Sequence, residues 1–337
     1  MQQQEERMAI TAKENYLRML KGEIPDHVPS NAFEDMNGRF NEELLTPASA
    51  PDGPIVTKLG VTYVGSAELN NGAMPAPGRN LLGEDISNWR DVIHIPDMSG
   101  FDWEKYYTDK IKDIDRTTKC LTVGGGDYFL TLVSFMGFEN LLLNMYENPD
   151  EIMEMLEYVS QYYMLVLKQS VYYVKPDIIS IMDDDAGDKA PFFSAEMYKK
   201  FFKPYHKKHT DIAKEIGAPV ARHDCGLCEC FIPDWVDIGI NSWNPAQVQN
   251  DLVGIKKRFG NKIAIAGGWD NGKYDRLTDM DEYRAALENY VDTFAPGGGF
   301  VYSAMTGFTN QDEFTQQRRD MIKDVYFNYA YNWYKTH

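Results

Sequence analysis

The chain has 337 residues, of which 43% are hydrophobic and 25% are charged. This is the composition of an ordinary globular protein, so a largely disordered chain is excluded. The 51 Asp and Glu residues outnumber the 34 Lys and Arg residues and give a formal net charge of −17. That charge argues against nucleic acids and anionic membranes as partners, because phosphate binding needs clustered Lys and Arg.

The first residues and the cysteines predict the cellular compartment. Residues 1–7 have neither the basic region nor the apolar run of a signal peptide, and no stretch approaches 18 consecutive apolar residues. Of the four cysteines, Cys120, Cys225, Cys228 and Cys230, three lie close together, unlike a disulfide framework. We therefore expect a reduced, cytoplasmic protein in which the clustered thiols favour metal or thiol chemistry.

The predicted elements begin with a helix. Thr11 lies three residues before Glu14, which is the spacing of a capping box, and Gly22 followed by Pro25 ends the helix. Residues 28–33 then predict a strand.

Residues 41–100 are rich in proline and glycine and show no sustained periodicity. An irregular segment of that length inside a compact domain is uncommon unless it has a function. We therefore predict an irregular insertion, or a cap over a site, within one domain that spans residues 1–337.

Strands and helices alternate over the rest of the chain. Further strands are predicted at residues 120–124, 177–182, 218–223, 238–243, 262–266 and 300–304. Helices fill the intervals, and this alternation indicates parallel βαβ units. The predicted fold is an α/β single (β/α)8 TIM barrel. An open doubly wound sheet is the alternative, but no G-x-G-x-x-G fingerprint follows a strand.

Candidate metal ligands end the strand at residues 218–223. His223 and Cys225 are two residues apart, so on extended backbone their side chains point to the same side. Imidazole and thiolate together suit zinc. Three other interpretations stay open: a buried thiol beside a hydrogen-bonded histidine, a redox C-x-x-C of Cys225 and Cys228, and a structural zinc that also uses Cys228 and Cys230.

Three consecutive acids, Asp183, Asp184 and Asp185, directly follow the strand at residues 177–182. Adjacent carboxylates repel one another, so at a concave site at least one should have a raised pKa, a counter-cation or a metal. Asp183 and Asp184 are the predicted catalytic residues, with a general-acid role if no metal is used. A solvated loop of ordinary acids is the alternative.

Two other strand ends carry candidate substrate contacts. In a barrel, functional side chains lie at the C-terminal ends of the strands. Phe33 and Glu34 end the first predicted strand, and Trp269 follows a glycine pair after another. We expect Glu34 to face the barrel mouth and Phe33 and Trp269 to offer apolar walls to an aromatic ring. Simple packing and a tight turn are the alternatives.

Several short motifs occur in a fixed order along nearly the whole chain. They are residues 22–29 (GEIPDHVP), 137–140 (GFEN), 182–187 (MDDDAG), 203–205 (KPY), 223–226 (HDCG), 267–270 (GGWD) and 298–300 (GGF). With these motifs the sequence resembles the uroporphyrinogen decarboxylase superfamily, and within it the branch of corrinoid-dependent methyltransferases. The resemblance implies a single (β/α)8 barrel, in agreement with the strand count.

The resemblance is weaker to the decarboxylases themselves. Those enzymes bind the propionates of a tetrapyrrole with two arginines near the position of Gly38. Arg39 matches one of them, but the acids Glu34 and Asp35 lie where the other belongs. Binding a polycarboxylate there would be electrostatically unfavourable in so acidic a chain. A tetrapyrrole decarboxylase is therefore the less favoured branch.

The methyltransferase branch holds zinc with an H-x-C pair and a distant cysteine. His223 and Cys225 match the pair, but residues 303–306, where the distant cysteine falls, contain none. The oxygen donors available for a third ligand are Asp183, Asp184 and Glu34. An oxygen ligand in place of sulfur leaves zinc more Lewis acidic, which suits an oxygen-bound methyl donor better than a thiol acceptor.

The resemblance and the missing cysteine together predict the reaction. We expect methyl transfer from a methoxylated aromatic compound to the cobalt of a separate corrinoid protein. The corrinoid must come from a partner, because the chain contains no D-x-H-x-x-G cobalamin segment. The alternatives are corrinoid-to-thiol transfer of the coenzyme M type and a non-catalytic barrel that only binds a ligand. A homodimer is compatible with the sequence.

Overall fold

The computed structural model describes residues 10–38, 43–47, 49–67, 71–307 and 312–337. Two predictions concern residues outside the described ranges. They are the absence of a signal peptide, which rests on residues 1–7, and the match of Arg39 to one arginine of the decarboxylases. The chain divides into two compact units. The first unit contains Met1–Gly38, Asp115–Cys120 and Ile240–His337, and the second contains Arg39–Ile114 and Leu121–Gly239.

The described residues form ten strands and fourteen α-helices. The strands are β1 (Asn37–Gly38), β2 (Ile55–Val56), β3 (Thr62–Ser66), β4 (Gly72–Pro75), β5 (Cys120–Gly124), β6 (Ile178–Met182), β7 (Val220–His223), β8 (Ser242–Ala246), β9 (Ala264–Gly267) and β10 (Phe300–Val301). The helices are α1 (Ala12–Leu20), α2 (Trp89–Val92), α3 (Trp103–Ile111), α4 (Phe129–Met136), α5 (Phe138–Glu147), α6 (Pro149–Val174), α7 (Ala195–Phe201), α8 (Lys203–Ile216), α9 (Ile232–Ile238), α10 (Leu252–Phe259), α11 (Asn271–Tyr274), α12 (Met280–Phe294), α13 (Thr315–Asn328) and α14 (Trp333–Thr336).

Seven strands form one sheet in the order β1-β5-β6-β7-β8-β9-β10. In the second unit β5, β6 and β7 pair in parallel, and in the first unit β8, β9 and β10 do the same. Within each unit each of these strands lies beside the next one in the chain, whereas a doubly wound sheet reverses its strand order. The fold is therefore of the predicted parallel α/β type. This sheet has seven strands among the described residues, whereas the predicted (β/α)8 barrel has eight.

The register of β6 and β7 positions the chemistry of the second unit. Met182, the last residue of β6, is paired with His223, the last residue of β7. Beyond the strands, the Asp183 N–H donates to the His223 carbonyl at 3.1 Å. The segments that follow the two strands therefore leave the sheet side by side.

The strands and helices of the second unit form for reasons visible in the sequence. Leu121 in β5 and Ile179 in β6 have no exposed surface, which is typical of parallel strands covered on both faces. The 26-residue helix α6 begins at Pro149, where the missing N–H costs nothing. One face of α6 is buried at helical spacing, so its amphipathic pattern is satisfied by packing.

No single helix of the described residues is long and apolar enough to cross a membrane. The pair α4 and α5, bent by 106°, passes the same test together by length and composition alone.

The predicted strand at residues 28–33 does not form. The Ser30 N–H donates to the Glu34 carboxylate at 2.9 Å, and the Glu34 N–H donates to the Ser30 carbonyl at 3.1 Å. Pro29 has no N–H for a strand ladder. These local bonds turn the backbone, and the first strand begins at Asn37 instead.

The segment at residues 41–100 is less irregular than predicted. β2, β3 and β4 form a three-stranded antiparallel sheet within it, with Val64 opposite Met74. Its strands are short and contain glycine and proline, which hide the alternation that identifies a strand. Tyr63 and Trp89 are buried, so the segment is packed on one side.

One strand is displaced from its predicted position. β8 begins at Ser242, whereas the sequence predicted a strand from residue 238. Helix α9 extends to Ile238, and Gly239 ends it with a left-handed φ of 94°. The apolar residues before Gly239 are therefore part of a helix.

Candidate functional site

Asp184, His223 and Cys225 come together where β6 and β7 end. Their carboxylate, imidazole and thiol ligand atoms all lie within 4.8 Å of one another. Cys225 Sγ is 3.6 Å from His223 Nε2, and His223 Nε2 is 3.9 Å from Asp184 Oδ1. The His223 and Asp184 side chains are 34% and 35% exposed, so solvent reaches this group, which we call the site triad.

The strand register explains why the site triad forms. His223 and Cys225 point to the same side, as their two-residue spacing predicts. Asp184 lies two residues beyond Met182, the register partner of His223. The Cys225 N–H donates to Asp184 Oδ1 at 2.8 Å, which ties the two strand ends together.

Gly226 allows the loops after β6 and β7 to approach each other. Its φ of 92° lies in the left-handed region. A Cβ at this position would lie 2.5 Å from the Ala186 carbonyl oxygen and 2.6 Å from that of Gly187. The close approach also lets the Leu227 N–H donate to the Gly187 carbonyl at 2.9 Å.

We expect Gly226→Ala to destabilise the fold and to weaken metal binding at the adjacent Cys225. Gly217→Ala is the matched control, because Gly217 also has a positive φ but nothing lies within 4 Å of its Cβ position. The control should cost about 1–2 kcal/mol from the left-handed backbone alone, and Gly226→Ala more, because backbone atoms must move. Denaturant unfolding and metal content measure both effects. Equal losses in the two variants would contradict this explanation.

Beneath the site triad, Arg222 is fully buried between two acids. Arg222 Nε donates to Asp224 Oδ2 at 3.0 Å, and its terminal nitrogen donates to both Asp185 and Asp224. The guanidinium also lies 4.5 Å from the centre of the Trp235 ring. Burial raises the pKa of Asp185, and Asp224 adds to the increase. The cation therefore offsets part of the increase that burial causes in the pKa values of Asp185 and Asp224.

Asp183 has surroundings unlike those expected of a general acid. It is fully buried and accepts the backbone N–H groups of Tyr128, Phe129 and Leu130 at 3.0, 3.1 and 3.1 Å. Burial raises the pKa of Asp183, but the His206 hydrogen bond, the Arg222 charge and the Phe129 N–H outweigh it and lower the pKa. Asp183 thus anchors the N-terminus of α4 as an anion.

Two buried histidines on α8 lie beside this anion. Burial, followed by the Arg222 charge, lowers the pKa of His206 to about 4. Burial, followed by His206, lowers the pKa of His209 to about 3. The Arg222 guanidinium can only donate hydrogen bonds, so His206 Nδ1 accepts from it at 3.2 Å. His206 Nε2 then carries the proton and donates to Asp183 at 3.3 Å. Both imidazoles are therefore neutral near pH 7.

Asp127 is a candidate that the sequence did not identify. It follows the glycines after β5 and is 2% exposed. Burial, followed by the charge of Asp183, raises the pKa of Asp127 to about 7. Its position at a strand end was the available signal, but the glycines before it suggested only a nucleotide-binding motif that is incomplete.

Glu34 and Phe33 belong to the first unit. Glu34 Oε1 lies 2.7 Å from His27 Nε2, and its other oxygen accepts the Ser30 N–H. Phe33 stacks on Tyr326 with ring centres 5.1 Å apart. Among the three predicted oxygen donors, the described structure groups only Asp184 with His223 and Cys225. The substrate contacts of Glu34 and Phe33 stay predictions.

Trp269 also lies in the first unit, after β9. Its ring is buried and stacks on Tyr274 at 4.4 Å, with Tyr290 edge-on at 5.6 Å. The preceding Gly268 has a φ of 84°, as a tight turn requires. The predicted contact between Trp269 and a substrate ring stays a prediction.

The thiols lack the properties of a redox pair. Burial, followed by Asp184, raises the pKa of Cys225 to about 12, and burial with Asp224 raises the pKa of Cys228 further. Reactive C-x-x-C thiols have a lowered pKa instead. The Cys228 thiol donates a hydrogen bond to Asp224 Oδ1 at 3.3 Å. Cys228 does not belong to the metal-ligand group found in the described residues.

The site triad fits a zinc ion by its donor chemistry. Imidazole nitrogen, thiolate sulfur and carboxylate oxygen are all ligands that zinc accepts. Three protein ligands leave a fourth position for water or substrate, which is the arrangement of catalytic rather than structural zinc sites. The four-ligand structural site with Cys228 and Cys230 is not formed in the described structure.

Sequence comparison identifies the family. The uroporphyrinogen decarboxylase (URO-D) family profile matches residues 121–310, which is more than half of the chain and includes the whole site triad. The chain belongs to the uroporphyrinogen decarboxylase family. No curated protein sequence matches this URO-D family member significantly.

Solved structures share the fold of this URO-D family member. Twelve chains match significantly, among them a methyltransferase from Methanosarcina mazei with a TM-score of 0.56. The two sequences are 15% identical, and the similarity covers 94% of this chain and 100% of the other. At 15% sequence identity the structural similarity establishes the fold alone. The similarity extends along nearly the whole chain.

Proposed function

We propose that this URO-D family member is a methyltransferase that moves a methyl group from a methoxylated aromatic compound to the cobalt of a separate corrinoid protein. The observation that carries the proposal is the site triad, in which Asp184 takes the place of a second thiolate beside His223 and Cys225. The name of the Methanosarcina mazei relative supports the reaction class.

The donor set favours an oxygen-bound methyl donor. Zinc held by Asp184, His223 and Cys225 would act as a Lewis acid toward an oxygen atom. One hard carboxylate ligand in place of a soft thiolate increases that acidity. A thiol acceptor is activated better by a sulfur-rich site, so the mixed set supports ether cleavage over coenzyme M-type chemistry.

The leaving group favours an aryl ether. An alkoxide resembles hydroxide, whose parent acid has a pKa of about 15.7, whereas the parent acid of a phenolate has a pKa of about 10. The difference of about six pKa units corresponds to about 8 kcal/mol in leaving-group stability. A methoxylated aromatic compound is therefore a far easier methyl donor than an alkyl ether.

The methyl acceptor is proposed to come from another protein. The chain contains no D-x-H-x-x-G cobalamin segment, so the corrinoid would be carried in trans. Phe33 and Trp269 are the proposed ring contacts. The net charge of −17 makes a docking surface with Lys and Arg residues the expected complement on the partner.

The test is methyl transfer in vitro. Incubation with a reduced corrinoid protein and a panel of methoxybenzoates, methanol and thiols should give phenol release and methyl-cobalt absorbance with the aryl ethers only. Turnover of a thiol acceptor alone would contradict the proposal, and decarboxylation of uroporphyrinogen would assign the other branch. Asp184→Asn and His223→Ala serve as controls: ligand binding unchanged in both, with no turnover in the wild type, would indicate a non-catalytic barrel.

A further inference from the structure

The two chain segments at the ends of β6 and β7 have a buried side and an open side. The charged residues on the buried side have no exposed surface; they are Asp183, Asp185, Arg222 and Asp224. The residues of the site triad alternate with them in the sequence, and solvent reaches their side chains. Side chains alternate between the two sides of an extended chain, so the metal ligands and the buried charges lie on opposite sides of the same two segments.

On the buried side, Arg222 and Asp224 join the segment after β7 to the segment after β6. Arg222 Nε donates to Asp224 Oδ2 at 3.0 Å, and a terminal nitrogen of the same guanidinium donates to both Asp224 and Asp185. Asp224 Oδ1 accepts the Asp185 N–H at 2.9 Å. Both oxygens of Asp224 are therefore used, one by the guanidinium and the other by the backbone of the segment after β6.

The Arg222 guanidinium is itself fixed by three helices. Its other terminal nitrogen donates to His206 Nδ1 on α8 at 3.2 Å. The guanidinium carbon lies 4.5 Å from the centre of the Trp235 ring on α9 and 5.9 Å from that of Tyr198 on α7. A planar fork fixed in this way holds two carboxyl groups at one separation, which the point charge of a lysine does not do.

The ligand atoms of the site triad already lie close to the spacing that zinc requires. Zinc bonds of about 2.0–2.3 Å in tetrahedral geometry place the ligand atoms about 3.3–3.6 Å apart. Cys225 Sγ and His223 Nε2 are 3.6 Å apart, and His223 Nε2 and Asp184 Oδ1 are 3.9 Å apart. Asp184 belongs to a different segment from the other two ligands, so its distance from them depends on the contacts that hold the two segments together.

We propose that Arg222 and Asp224 are positioning residues that hold the ends of β6 and β7 at the separation a zinc ion needs. This inference rests on the zinc site of the proposed function. Asp224 lies between His223 and Cys225 in the chain. Its hydrogen-bond partner directly follows Asp184. Ligands that are already in place lose less conformational freedom on binding, so this network should increase the affinity for zinc.

The first test is Arg222→Lys, which keeps the positive charge and removes the planar fork. Loss of a group that orients a metal ligand weakens metal binding about 10–100-fold, so the Kd for zinc should rise by that factor. Competition with a zinc chelator measures the Kd, and circular dichroism shows whether the variant is folded. An unchanged Kd in the folded variant would contradict the proposal.

Asp224→Asn is the second variant. Asparagine has one acceptor oxygen, so it cannot accept from both the guanidinium and the Asp185 N–H. We expect a similar rise in the Kd for zinc. Asp234→Asn is the matched control, because Asp234 is also a buried carboxylate that accepts from a cation, Lys203 at 2.8 Å, but it lies on α9. The control should lose stability and keep the wild-type Kd.

Cobalt(II) in place of zinc separates a positioning role from a merely structural one, because its visible spectrum depends on the arrangement of the ligands. At saturating cobalt, the wild type and Asp234→Asn should give the same spectrum, and Arg222→Lys and Asp224→Asn a different one. Reduced stability with a wild-type Kd and spectrum would overturn the inference.

These measurements do not depend on turnover. Wild-type protein that binds zinc but demethylates no aryl ether would overturn the proposed reaction and leave the positioning role to the Kd values. Wild-type protein that binds no zinc would overturn both proposals.

Discussion

Cys225→Ser is expected to remove most of the bound metal and, with it, methyl transfer. The wild-type protein should bind one zinc per chain through Asp184, His223 and Cys225. Loss of a partner that only hydrogen-bonds to a ligand costs 10–100-fold in affinity, so loss of a ligand should cost at least about 100-fold. Metal analysis after dialysis and zinc titration measure the change. Asp184→Asn should also lower the zinc affinity, because the Asp184 carboxylate is the third metal ligand of the site triad.

Cys230→Ser is the matched control for the thiol. Cys230 is an exposed cysteine five residues further along the chain and does not belong to the site triad. This variant should keep wild-type zinc content and activity. Near-zero metal in both the wild type and Cys225→Ser would remove the metal proposal, and equal loss in the two serine variants would instead indicate binding by the thiol cluster as a whole.

Arg222→Met should produce the largest loss of stability. Methionine has a similar length but leaves Asp185 and Asp224 buried without their cation. Removal of one partner from a buried ion pair costs about 3–5 kcal/mol, which denaturant unfolding can measure. Burial already raises the folded pKa values of both acids above their unfolded values, and loss of the Arg222 charge, which lowers them, should raise them further. They then bind protons on folding, so the variant should lose further stability as the pH rises above about 4.

Arg284→Met is the control for this prediction. Arg284 is 37% exposed and pairs with Asp324 and Glu288 at the surface. Solvent screens such pairs, so its loss should cost about 1 kcal/mol or less and depend little on pH. Comparable losses for the two arginines would show that the Arg222 network does not carry the stability assigned to it.

Features that depend on neighbouring residues could be read from the sequence. Thr11 and Glu14 form the predicted capping box, and β5 has the predicted bounds Cys120–Gly124. The same-side placement of His223 and Cys225 follows from their spacing on a strand. Each of these features depends only on the two-residue repeat of an extended chain or on the spacing within the first helical turn. Both can be recognised from the order of residue types.

Predictions from sequence patterns were wrong where a side-chain hydrogen bond, a helix-ending glycine or strand pairing determined the conformation. Residues 28–33 have the composition of a strand, but the Glu34 side chain captures the Ser30 N–H and turns the backbone. Gly239 ends α9 and moves β8 along the chain. In the segment at residues 41–100, the pairing of β2, β3 and β4 supplies order that their short, glycine-containing sequences do not indicate.

The sequence by itself determined the parallel α/β class, most of the strands and the His223–Cys225 pair, because these follow from periodicity and spacing. Only the tertiary structure decided which acid completes the triad. Asp184 meets the Cys225 N–H across 41 residues of chain, while Asp183 meets the Tyr128 N–H across 55. Consecutive aspartates look alike in the sequence, yet they leave β6 in different directions, one toward the open strand ends and one toward a buried helix terminus. The raised pKa of Asp127 likewise depends on burial and on the Asp183 charge, which only packing supplies.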